Sequence, residues 1–197
     1  MYIETLKSQI VAAFAEKWSI NDKAHQEKHF ENVFQCGLII NERLGLGFDQ
    51  KIILFAAYFH DLFAWSRVNH HELALHWIQG TDHPLIIDNL NPNEQSLVAW
   101  ACYQHRASFK GDFRNKFSEL INSADRELPG DVAQMLERAV LYRQKNFPGM
   151  TVEQGFEDSV KHLKEKFGIG GYARFPQMYL DCFAEELEFQ RQQIMAL

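Results

Sequence analysis

Apolar residues recur along this chain at helical spacing almost from end to end. Ile3, Leu6, Ile10, Ala13, Phe14 and Trp18 form one stripe, and His29, Val33, Cys36, Gly37, Ile40 and Leu44 form the next. The second stripe predicts a helix capped by Asn21 or Asp22 and running to about position 44, before a turn punctuated by Gly45 and Gly47. Asp49 can cap a third helix, KIILFAAYFHDLF, which is apolar nearly all round and is therefore expected at the centre of the fold. A fourth helix is expected over about 69–79, closed by Gly80, and a fifth over about 93–105, with Pro84, Pro92 and their neighbouring Asn residues marking loops. RASFKGDFRNK reads as a loop, followed by a helix over about 115–127 that Pro129-Gly130 stops. Asp131 can cap a helix with Val132, Met135, Leu136, Ala139 and Val140 inward. Thr151 with Gln154 makes a capping box before the stripe Phe156, Val160, Leu163 and Phe167. A last helix is expected over about 176–195, after the glycine-rich break at 168–171. No strand set or internal repeat interrupts this pattern, so the expectation is an all-α helical bundle in one domain, with a motif-bearing core over about 24–130 and the helices of 131–197 completing it.

Composition adds three constraints. A chain of 197 residues, 46% of them hydrophobic, suffices for one domain with a real core. The net charge of −6 offers no general attraction to polyanions, so no clear nucleic-acid surface is expected. Cys36, Cys102 and Cys182 are odd in number, form no CxxC pair and lie among apolar neighbours, which predicts buried, reduced thiols and a cytoplasmic protein. Charged residues interrupt every apolar run near the N-terminus, and none reaches the length of a membrane span.

The chemistry sits in the histidines and two aspartates. His60-Asp61 closes the most hydrophobic helix, where a carboxylate beside an imidazole is costly unless something binds both. Helix neighbours point about 100° apart, so both reach one ion only where the helix ends or bends. Asp125 lies four residues after Ile121 on an inward stripe and needs a metal or a salt bridge, for which Arg126 and Arg138 are the nearby cations. His29 is on the inward face of the second helix and His105 ends the fifth. His70 and His71 open the fourth, where only one can face inward. Any one of these alone reads more readily as a core or surface histidine. Four helix positions carrying His, an His-Asp doublet and an inward Asp together suit Fe, Mn, Zn, Co or Ni.

In order, the blocks KHFENV at His29, AAYFHDLF at His60 and Asp61, NHHELALHW at His70, CYQHRAS at His105 and NSADREL at Asp125 resemble the HD-domain phosphohydrolases. The resemblance implies a helical fold and a four-ligand core of His29, His60, Asp61 and Asp125. His70 and His105 resemble the extra ligands of the binuclear subgroup, in which Asp61 would bridge two ions. The family's histidine precedes a small residue by four positions, which favours His70, four before Ala74, over His71. Many members carry an Arg shortly before the first ligand, whereas Gln26 stands three positions before His29 here. His25 is one turn from His29; of two readings, lining the mouth of the site or a solvated histidine on the helix face, the second is preferred.

The activity so implied is hydrolysis of a phosphoester or phosphoanhydride of a small molecule, with nucleotides the default class and Asp61, His70 and His105 in the reacting centre. Two such ions activate a water and clamp phosphate oxygens. The loop after His105 carries Arg106, Lys110, Arg114 and Lys116 against one acid, Asp112, and Arg126 follows Asp125. Arg106, Lys110 and Arg126 are therefore the expected substrate contacts, with Lys23, Lys28 and Arg67 next in line. Two alternatives share the ligand set: a mixed-valence di-iron oxygenase, and a metal-stabilised binding domain without catalysis. Without metal, Asp61 and Asp125 are expected to repel one another, so that chelation destabilises the fold and Asp125→Asn relieves the metal-free protein.

Overall fold

The computed structural model describes residues 2–22 and 25–197, and among them the secondary structure is helical with no strand. Ten helices follow one another: α1 (Tyr2–Trp18), α2 (Glu27–Arg43), α3 (Gln50–Phe59), α4 (His70–Gly80), α5 (Pro84–Ile87), α6 (Pro92–Gln104), α7 (Lys116–Ala124), α8 (Val132–Asn146), α9 (Val152–Phe167) and α10 (Gln177–Ala196). The chain divides into two compact units, one of residues 1–128 with 176–182, the other of 129–175 with 183–197. Among the described residues no helix is long and apolar enough to cross a membrane.

Within the first unit α3 is the central element. Every residue from 52 to 59 is buried, as its apolar circumference requires. Helices α1, α2, α6 and α7 pack around it, and α4 lies against α6. On the α1 side Phe14 meets Phe59 and Trp77 edge to face, at centroid distances of 5.1 and 5.5 Å. Helix α2 approaches α3 closely because position 37 is glycine: a β-carbon there would stand 2.8 Å from Ile53 Cγ2. This close crossing brings the face of α2 that carries His29 down on the end of α3.

Caps anticipated from residue type are present at Asp49, Asp131 and Thr151, whose side chains accept from Lys51, Gln134 and Gln154 backbone N–H groups, and Asn115 adds a further cap that accepts from Ser118 N. Two starts differ. Helix α6 begins at Pro92 under a capping box made by Asn91 and Glu94. Helix α2 begins at Glu27, behind Gln26, and neither Asn21 nor Asp22 caps it. Asn21 is engaged elsewhere: its amide donates to the carbonyls of Asp61 (2.9 Å) and His25 (3.1 Å) and accepts from Trp65 N (2.9 Å). The stretch around Pro84, expected as loop, contains the single-turn α5.

The second unit has a small core of Val132, Leu163 and Ile194, flanked by Met135, Leu136 and Phe167. Helix α9 turns Gly155, Ser159 and Leu163 inward, and Phe156, expected on the stripe, is exposed. The inward row uses small residues at this end, with Ser159 Oγ donating to the Gly155 carbonyl at 2.6 Å. The backbone of α10 departs from helical geometry at Phe183 (φ −126°, ψ 24°), where the chain passes from the first unit to the second.

Candidate metal centre

The centre forms where α3 ends. His60 is the C-cap of α3, and the following residues continue in tight turns, with Leu62 N bonded to Phe59 O and Ala64 N to Asp61 O. Leaving the α-helical path lets neighbours converge: His60 Nε2 lies 3.3 Å from Asp61 Oδ2. Both side chains are buried, His60 completely.

Helix α2 supplies His29, whose Nε2 is 3.2 Å from His60 Nε2. The end of α7 supplies Asp125, whose Oδ1 is 3.3 Å from His29 Nε2 and 3.5 Å from His60 Nε2. The start of α4 and the end of α6 supply His70 and His105, whose Nε2 atoms are 3.2 Å apart and lie 3.4 and 3.3 Å from Asp61 Oδ1. Asp61 thus presents Oδ2 to His29 and His60 and Oδ1 to His70 and His105. His71 lies tilted against the Tyr103 ring, with its Nδ1 3.4 Å from Arg106, and makes none of these contacts.

The second nitrogen of each ring decides what the first can do. Nδ1 of His60, His105 and His70 faces a carbonyl, of Ala57 (2.8 Å), Cys102 (2.6 Å) and Arg67 (3.3 Å) respectively. A carbonyl only accepts, so each Nδ1 carries the proton and each Nε2 offers a lone pair to the centre. His29 Nδ1 is 2.8 Å from Glu127 Oε1, with the same consequence. Four imidazole lone pairs and two carboxylates therefore point at one another in a buried space, an arrangement a cation satisfies. His29, His60 and Asp125 form one group able to hold a metal ion, and His60, Asp61 and His105 another.

Without a cation, protons balance the charge. Burial pulls the His60 pKa down, but Asp61 and Asp125 outweigh it and hold the imidazole up at about 10. His29 is raised by Asp125 and Glu127 against the same burial. Against the burial that would raise it, His60 and His105 keep Asp61 well below the ordinary carboxylate range, and His29 and His60 do the same for Asp125. Burial, helped by the neighbouring His105, pushes His70 down to about 4. The three cysteines are buried and form no disulfide, as expected from sequence. Burial raises the thiols of Cys36 and Cys102, the opposite of what a thiolate ligand needs.

The cations expected at the substrate fall into different places. Arg106, after α6, donates to the Val68 carbonyl at 3.1 Å. Lys110 is exposed on the following loop. Arg114 lies over the Trp100 ring at 4.3 Å. The Arg126 guanidinium is committed to the carbonyls of Asn122 (3.2 Å) and His105 (3.1 Å) and stands 3.6 Å from Asp125 Oδ2, so it ties the end of α6 to the end of α7. Of the cations weighed for Asp125 from sequence, Arg126 therefore stands near Oδ2, while Oδ1 faces His29 and His60 in the group able to hold a metal. Lys23 lies outside the described residues, Lys28 is exposed and Arg67 is paired with Asp22.

Glu127 was not singled out from sequence. It holds His29 Nδ1 and accepts from Asn32 (3.1 Å), while its backbone sits at φ 58°, where a non-glycine residue is strained by roughly 1–3 kcal/mol. The Tyr179 hydroxyl donates to its carbonyl at 2.7 Å and helps hold that conformation. The signal available was the need of a ligating histidine for an acceptor behind it, met by a carboxylate two positions after Asp125. Compared with family models, curated proteins and solved structures, the chain matches none of them.

Proposed function

We propose that this protein is a metal-dependent phosphohydrolase of the HD-domain type, acting on a phosphoester or phosphoanhydride of a small molecule, with nucleotides the first substrate class to test. The observation that carries the reading is the division of the Asp61 carboxylate, one oxygen toward His29 and His60 and the other toward His70 and His105. In this reading His29, His60, Asp61 and Asp125 would hold one transition-metal ion, and Asp61, His70 and His105 would hold a second. Imidazole and carboxylate donors suit Fe or Mn, and also Zn, Co or Ni. Such a pair supplies a hydrolytic water at neutral pH and neutralises phosphate oxygens.

The chain's own contribution is placement. Carbonyls of Ala57, Cys102 and Arg67, with the Glu127 carboxylate, fix the tautomer and ring plane of the four histidines. Arg126 holds the α6 and α7 ends that carry His105 and Asp125 in register. Arg106 and Lys110, on the segment leaving His105, remain the cations this reading assigns to phosphate oxygens beyond the centre, Arg106 after release of its bond to the Val68 carbonyl.

Metal analysis of purified and reconstituted protein, with hydrolysis assays on nucleotides and dinucleoside polyphosphates over several metals, tests this. The expected result is more than one transition metal per chain and phosphate release with Mn or Co. No bound metal under either condition overturns the centre. A mixed-valence di-iron paramagnetic signal with oxygen uptake and no phosphate release replaces the hydrolase by an oxygenase.

A further inference from the structure

A fifth histidine reaches this centre. His25 Nε2 is 3.8 Å from Asp61 Oδ2, the same distance as His29 Nε2 from that oxygen. Its Nδ1 is 2.7 Å from Asp22 Oδ1, and Asp22 is paired in turn with Arg67. A carboxylate behind Nδ1 places the ring proton there and leaves the Nε2 lone pair facing Asp61, the same lock that Glu127 applies to His29. The ring planes of His25 and His29 are nearly perpendicular, with centroids 6.0 Å apart.

The backbone of this segment is built into the site. The buried Asn21 side chain spans the carbonyls of His25 and Asp61 and accepts from Trp65 N, while Gln26 Nε2 donates back to the Asn21 carbonyl (3.1 Å). Asn21, which would have capped an earlier start, is engaged in these bonds, and helix α2 begins at Glu27. A surface histidine that merely pairs with a local acid has no need of a buried asparagine linking its backbone to that of Asp61.

We infer that His25 is a further metal ligand, completing the ion site of His29, His60 and Asp125 from its open side, with Asp22 as its orienting carboxylate. The inference rests on the metal centre described above and deepens it. His25 is the most accessible donor of the set: its side chain is 31% exposed, against 15% or less for the other six. The position it takes is therefore the one facing solvent.

Cobalt(II) titration of the metal-free protein, followed by visible absorption and by competition with a chelator, tests this without reference to activity. The comparison needs wild type, His25→Ala, Asp22→Asn and, as control, His76→Ala on the exposed face of α4. His25→Ala is expected to weaken one binding step by about ten- to a hundredfold and to change the intensity of its absorption bands, with Asp22→Asn weakening the same step less. His76→Ala leaves both steps alone. Circular dichroism melts of the metal-free variants establish that each is folded, and Asp22→Asn keeps the test open if His25→Ala is not. Wild-type affinity and spectrum in both His25→Ala and Asp22→Asn overturn the role of His25. Wild type that takes up no cobalt removes the centre and His25 with it. Cobalt uptake without phosphatase activity counts against the hydrolase reading alone.

Discussion

His60 and Asp61 are neighbours in the chain, yet His60 Nε2 lies 3.3 Å from Asp61 Oδ2 and both face the same buried space. On a continuing helix they would diverge by about 100°. The end of α3 at Phe59 removes that constraint and frees Asp61 to serve two groups of histidines. Asp61→Ala is therefore expected to lose both ions and all activity. His70→Ala should lose one ion, while His71→Ala, whose ring packs on Tyr103, should keep both. Metal stoichiometry of the three variants checks this, and metal loss in His71→Ala would place the wrong histidine in the site.

The arginines separate by what already holds them. Arg126→Ala should lower stability by about 1–3 kcal/mol, because it strips a charged donor from two carbonyls at the α6–α7 junction and leaves Asp125 Oδ2 without its cation. Arg106→Ala, which gives up one solvent-exposed bond to the Val68 carbonyl, and Lys110→Ala should lower the melting temperature less than Arg126→Ala and raise KM. Thermal melts with steady-state kinetics distinguish the two behaviours, and an unchanged KM in both variants would place the phosphate contact elsewhere.

Asp125→Asn is expected to destabilise the metal-free protein as well as weaken metal binding. Simple repulsion between two carboxylates predicted the reverse from sequence. In the structure His29 and His60 face Asp125 Oδ1, and their attraction outweighs its burial and keeps it ionised. Removing that charge costs about 1–3 kcal/mol in charge-assisted hydrogen bonds. Four melting curves, wild type and variant with and without chelator, measure both effects. A stabilised metal-free variant would show that repulsion wins.

Metal-free stability should peak near pH 6.5. His60 is held at about 10 and His29 is raised, so their contribution is complete below the unfolded value of about 6.5 and is lost as pH rises through the folded value. His70 is depressed to about 4, so its penalty grows as pH falls from about 6.5 toward 4. With metal bound, the cation replaces the protons, and the loss above neutrality should disappear. Melting temperatures from pH 4 to 10, with chelator and with Mn, test this. A metal-free profile that keeps rising above pH 7 would contradict it.

Gly37→Ala should destabilise by about 1–2 kcal/mol, despite the better helix propensity of alanine, because the added carbon meets Ile53 Cγ2 at 2.8 Å. Pushing α2 from α3 also separates His29 from His60, so metal affinity should fall with stability. Denaturant melts and metal titration of the variant report the two, and an unchanged melt would mean that the crossing can relax.

Local chain chemistry was enough to read the helical class, the central place of α3 and the caps at Asp49, Asp131 and Thr151, because apolar spacing and side-chain-to-backbone capping act within a few residues. It also marked His29, His60, Asp61, His105, Asp125 and one of His70 and His71 as polar groups on separate helices that each need a partner, while the choice of His70 and the grouping into one ligand set came from the family resemblance. Their convergence was decided by packing. The late start of α2, the two-sided use of Asp61, the placement of His71 against Tyr103 and the strained Glu127 behind His29 each depend on which side chain another helix presents. Asn21 makes the reason concrete. By residue type it is a helix cap, and it becomes the link between His25, Asp61 and Trp65 because a segment some forty residues away presents it with a carbonyl and an N–H.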